Sequence, residues 1–131
     1  MSDYEPAPLG TRLAFVALRV RDLDASARFY REAIGVPLRE AGGETEESHR
    51  EYSWTDGAYL HFALFPAQPG AETAKVELAF LVDDLDAAHA RALAAGAQME
   101  SSPRDEPWGR TAGYRDPDGN LIALTERSSH R

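Results

Sequence analysis

The chain has 131 residues, of which 43% are hydrophobic, a formal net charge of −8 and no cysteine. That supplies one core of ordinary domain size and leaves no length for a second. The acidic balance repels nucleic-acid phosphates and anionic lipid headgroups. The lack of thiols excludes disulfides, thiolate catalysis and sulfur-ligated metal centres.

Met1 to Gly10 has neither the basic start nor the apolar stretch of a secretory leader, and no apolar run approaches membrane-spanning length, so a cytoplasmic protein is expected. Residues 15–20 are apolar and β-branched and suit a strand. Asp22 or Asp24 then offers a helix N-cap. Leu23, Ala27, Tyr30 and Ile34 recur at helical spacing, and Gly35 stands where a C-cap glycine belongs. A strand begins over 36–39. Asp56-Gly57 separates residues 52–54 from 59–65, a hairpin signal because glycine supplies the positive φ of the primed turns. Linker chemistry follows in Pro66-Ala67-Gln68-Pro69-Gly70. The plan then repeats: strand 76–82, helix 85–95, a stop at Gly96, a strand from Ala97, and a hairpin about Asp118-Gly119 between 111–115 and 121–126.

The repetition is literal. A shift of 62 residues places Ala17 on Ala79, Val20 on Val82, Asp22-Leu23-Asp24-Ala25 on Asp84-Leu85-Asp86-Ala87, and Asp56-Gly57 on Asp118-Gly119. The expected fold is α+β: two tandem βαβββ modules, about 11–66 and 74–127 joined by a linker at 67–73, related by a pseudo-two-fold. One helix covers one face of a four-stranded sheet, so the paired modules are expected to form a curved mixed sheet around a central cleft.

Three segments carry a family resemblance: Val20-Arg21-Asp22-Leu23-Asp24 with Phe29-Tyr30 and Ile34-Gly35; Val82-Asp83-Asp84-Leu85 with Ala95-Gly96-Ala97; and Trp108-Gly109-Arg110 with Asp116-Pro117-Asp118-Gly119-Asn120-Leu121. The chain resembles the vicinal oxygen chelate superfamily, which includes glyoxalase I, extradiol dioxygenases, fosfomycin-resistance transferases and bleomycin-resistance proteins. The resemblance implies four metal-ligand positions, at Phe15, His61, Glu77 and Ala123, and the internal repeat pairs the same four. Phe and Ala donate nothing to a metal, and a catalytic divalent ion needs about three protein ligands. No metal and no other cofactor is therefore expected.

Strand alternation places Phe15, Arg19, Tyr59, His61, Phe65, Glu77 and Ala123 on the cleft side. Trp54, Trp108 and Arg110 join them as candidate ligand contacts, the tryptophans by stacking and the arginine by binding an anionic group. Glu77 is expected to face His61. The Glu44-Thr45-Glu46-Glu47 run reads as a solvated loop, and His49, His89 and His130 receive no role. The reading that results is a small-molecule-binding protein of the bleomycin-resistance type, sequestering a partly aromatic ligand in a metal-free cleft and expected as a homodimer, as the resemblance implies. Two alternatives stand beside it: a lyase or isomerase using Glu77 and His61 as an acid–base pair, and a metal-dependent glyoxalase-like or dioxygenase-like enzyme with an altered ligand set.

Overall fold

The computed structural model of the protein describes residues 10–127 other than Ala58. The leader reading of Met1 to Leu9 and His130 lie outside the described residues. The first unit contains β1 (Phe15–Val20), β2 (Arg39–Ala41), β3 (His49–Trp54) and β4 (Leu60–Pro66), in sheet order β1-β4-β3-β2. The second contains β5 (Glu77–Val82), β6 (Gln98–Glu106), β7 (Gly109–Arg115) and β8 (Leu121–Glu126), in the matching order β5-β8-β7-β6. In each, the first strand runs parallel to the last and the others are antiparallel. Two tandem βαβββ modules result, and the fold class is α+β.

Each helix starts on an aspartate. Asp22 accepts from the Ala25 amide and Asp84 from the Ala87 amide, both at 3.1 Å, satisfying amides that have no partner in the first turn. Helix α1 (Leu23–Arg28) continues without a break as a π-helical segment, Phe29–Ile34, whose widened turn ends where Gly35 donates to the Tyr30 carbonyl at 2.9 Å. Gly35 has φ 97°, a left-handed cap that glycine adopts without steric cost. Helix α2 (Leu85–Ala94) is regular. The two helices meet across the unit boundary, where Arg91 donates to the Ile34 carbonyl at 2.9 Å and so caps the end of the other unit's helix.

One core joins the units. Leu18, Val20, Phe62 and Leu64 from the first sheet and Tyr114, Ile122 and Leu124 from the second bury their helix-facing sides in a single cluster with Tyr30, Leu85 and Ala92. Tyr30 is central: its ring meets Phe62 and Phe80, and its hydroxyl donates to Asp116 at 2.6 Å. Asp116 also accepts from the amides of Asp118 and Asn120 and from the Asn120 side chain, each at 2.9 Å. The expected tight Asp118-Gly119 turn is thus a five-residue loop held by one buried carboxylate. Among the described residues no strand pair crosses between the units, so the expected curved sheet is built as two separate four-stranded sheets. Their helix-facing sides share the core and their other sides lie on its outside. No helix among the described residues is long and apolar enough to cross a membrane.

Candidate functional site

The open face of the first unit is built by alternation and register. Phe15 pairs with His61 and His61 with Ser53; one step along, Ala17 pairs with Ala63, Ala63 with Glu51 and Glu51 with Arg39. Arg19, Phe65 and His49 complete the face. Strand alternation puts all of these side chains on the side away from α1. Phe15 is 50% exposed and stacks on His61 at 5.3 Å between ring centroids; Tyr59, 54% exposed, lies parallel to the same imidazole at 6.4 Å. Phe65 stacks on His49 at 4.6 Å and supports the Arg19 guanidinium at 4.8 Å.

Polar groups on this face are linked to one another. Ser53 Oγ lies 2.6 Å from His61 Nδ1. Glu51 Oε1 lies 3.3 Å from His61 Nε2 and 2.9 Å from His49 Nε2. His49 Nδ1 donates to the Glu47 carbonyl at 2.7 Å. The Glu47 side chain pairs with Arg19 at 3.0 Å. Burial alone pulls the His49 pKa down, but the Glu47 carbonyl and the Glu51 carboxylate, each accepting a proton from the ring, outweigh it and leave the pKa raised.

On the second unit the open face carries Glu77, Ala79, Leu81, Leu121, Ala123, Thr125, Thr111, Gly113 and Arg115. Leu81 is 61% exposed and Trp108, in the β6–β7 turn, 66%. Arg115 pairs with Glu100 at 3.0 Å, and the same guanidinium feels the charge of Glu77.

The structure gathers Phe15, Arg19, Tyr59, His61 and Phe65 on one face and sets Glu77 and Ala123 on the other. The expected Glu77–His61 pair is not formed within the chain, because the two open faces lie on opposite sides of the shared core; the carboxylate at His61 is Glu51. Trp54 lies apart from these residues. Its ring packs edge-on to Tyr52 at 5.1 Å and lies 6.2 Å from Phe80, on the helix side, because Ser53 rather than Trp54 stands across from His61. There it lines two cavities between the units, of about 420 and 550 Å³. Of the charged groups at their rims, Arg91 is engaged with Ile34, Arg127 with Asp83, and Asp84 as an N-cap. Arg110 also lies apart from them. It opposes Glu126, on the helix side, and pairs with Asp86 of α2 at 3.0 Å. Glu47, Glu51, Ser53 and His49 are the residues that sequence reasoning missed. Their signal was available, since 49, 51 and 53 alternate on one strand of a hairpin with His61.

The four metal positions do not fit a metal. Phe15 and Ala123 carry no donor, and both ring nitrogens of His61 are engaged by Ser53 and Glu51. The repeat also slips here: Phe15 pairs with His61, but Glu77 pairs with Leu121, two residues before Ala123. Leu121 is no donor either. Among the described residues no group of three His, Asp or Glu is placed to hold an ion.

Two tandem βαβββ units sharing a helical core, each with an open sheet face, define a paired-module α+β class. The chain belongs to the Glyoxalase/Bleomycin resistance protein/Dioxygenase superfamily, whose family model matches residues 12–124. Among solved structures it is similar to TnmS3, an antibiotic binding protein from Streptomyces sp. CB03234, with 27% identity, a TM-score of 0.74 and coverage of 93% of this chain and 100% of that one. A glyoxalase/bleomycin resistance protein from the same Streptomyces is 29% identical, with a TM-score of 0.68 over 87% of this chain and 99% of that one. The uncharacterized protein YraH of Bacillus subtilis (strain 168) is 28% identical over 86% of this chain and 96% of its own length.

Proposed function

We propose that the protein binds a small, partly aromatic molecule, without a metal, on the open face of the first unit. One observation carries this reading: Phe15 on β1 and Tyr59, immediately before β4, stand half-exposed and flank the polar His61. Exposed rings held by a sheet stack on a flat ligand at little entropic cost, and the neighbouring imidazole and hydroxyls orient it. The likeness to an antibiotic-binding protein supports the ligand class. The missing donors at Phe15 and Ala123 support binding without metal. A second copy of the chain would close the site by setting its own second unit, with Glu77, over the first unit's open face. The lyase or isomerase reading has no Glu77–His61 contact within the chain to support it.

The test is calorimetric titration of protein dialysed against chelator with a panel of polycyclic aromatic antibiotics. Binding is expected without added metal. Phe15→Ala and Tyr59→Ala are each expected to weaken it about tenfold, the loss of roughly 1.4 kcal/mol of stacking. Binding that requires a divalent ion, or that ignores both substitutions, overturns the reading.

A further inference from the structure

The polar groups beside the aromatic stack are ordered as a proton relay, and the order follows from hydrogen-bond chemistry. Glu51 Oε1 lies 3.3 Å from His61 Nε2, and its negative charge there favours the tautomer with the proton on Nε2. Neutral His61 then has Nδ1 free to accept, and its partner there, at 2.6 Å, is the Ser53 hydroxyl. Glu51 is itself held by the proton on His49 Nε2, at 2.9 Å, while His49 Nδ1 is fixed on the Glu47 carbonyl. The sequence serine, imidazole, carboxylate is that of an activated nucleophile: a base within hydrogen-bond reach and a third group that sets the base's tautomer. Tyr59 contributes a hydroxyl 3.4 Å from Ser53 Oγ.

We propose that Ser53 is a nucleophile for acyl transfer from esters with good leaving groups, with His61 as its general base and Glu51 as the residue that positions His61. In the first step Ser53 Oγ attacks the ester carbonyl carbon and its proton passes to His61 Nδ1. Tyr59 donates to the oxyanion of the tetrahedral intermediate. Collapse breaks the bond to the leaving alkoxide, which takes the proton from His61 Nδ1 and leaves as the alcohol. Water, deprotonated by the same nitrogen, then attacks the acyl-serine; the acid is released and Ser53 regains its proton. No oxidant and no metal enters. The side chains of His61 and Glu51 are 19% and 23% exposed, so the relay opens onto the same face as the aromatic rings and is reached by solvent and substrate. The inference does not rest on the identity of the bound ligand.

The test is p-nitrophenyl acetate with the full-length protein. A burst of one equivalent of p-nitrophenolate is expected, with the gain of one acetyl group located on Ser53 by peptide mass spectrometry. Ser53→Ala should abolish both and leave the thermal unfolding transition unchanged. His61→Gln should slow acylation by about a hundredfold, the usual scale for loss of a general base. Glu51→Gln, which keeps the shape but changes the hydrogen bond, should slow it with little change in KM. Diisopropyl fluorophosphate provides a second readout, modifying the wild type on Ser53. The proposal is overturned if neither reagent modifies Ser53, if acetylation falls on Tyr59 or Lys75 instead, or if folded Ser53→Ala gives the same burst.

Discussion

His49 has no solvent to relieve it: it is 4% exposed, and its ring is caught between the Glu47 carbonyl and Glu51 while stacked on Phe65. Its folded pKa is raised above the ordinary histidine value near about 6.5. A raised histidine contributes stability that is fully present below the unfolded pKa and is lost as pH rises through the folded one. The stability advantage of wild type over His49→Gln should therefore be larger at mildly acid pH than at mildly alkaline pH, measured by urea denaturation at both. An advantage independent of pH would mean that the ring is held neutral. In the sequence this residue shows no ligand spacing, and the reason its role is hidden is local. The repeat and the family positions lie on β1, β4, β5 and β8 and leave the facing of β3 and β7 undetermined. The five-residue connection between Trp54 and Leu60 sets the facing of β3, placing Ser53 and not Trp54 across from His61.

At the level of elements, the repeat was legible where it counts residues and failed where hydrogen bonds set the register. Strands β1 and β5 start at Phe15 and Glu77, and helices α1 and α2 at Leu23 and Leu85, both pairs at the 62-residue offset. The last strands do not keep it, because a parallel strand's register is fixed by its own ladder and not by the spacing of the turn before it. The helix ends differ too. Gly35 and Gly96 both have positive φ, 97° and 86°, but a Cβ on Gly35 would lie 2.8 Å from Arg91 Nη2, whereas Gly96 has open space. Gly96→Ala should cost about 1–2 kcal/mol, the usual penalty for a side chain in the left-handed region. Gly35→Ala should cost more, because Arg91 must also leave the Ile34 carbonyl that it caps. Denaturant unfolding of the two variants decides it; equal losses would show that Arg91 swings aside freely.

On the scale of the whole molecule, both sheets spend their helix-facing sides on one shared core, and this leaves apolar side chains on the outside. Phe15, Leu81 and Trp108 are 50%, 61% and 66% exposed, and β1 and β5 are edge strands of their sheets. Unpaired edges and exposed apolar faces favour association, and a closed two-fold arrangement uses the same surface twice. The protein should therefore be a homodimer, with a light-scattering mass about twice the 14.4 kDa of the chain. The charge makes the expectation sharper. Each copy carries −8, so two copies repel, and salt screens that repulsion within a Debye length of about 10 Å at 0.1 M. If apolar faces drive the contact, dimerisation should strengthen as salt rises from low to physiological ionic strength. Leu81→Arg, which puts a desolvated cation into the contact, should shift the protein to monomer without unfolding it. A dimer that weakens with salt would rest on ion pairs between the copies instead. A monomer at micromolar concentration in all salts would mean that each open face works alone.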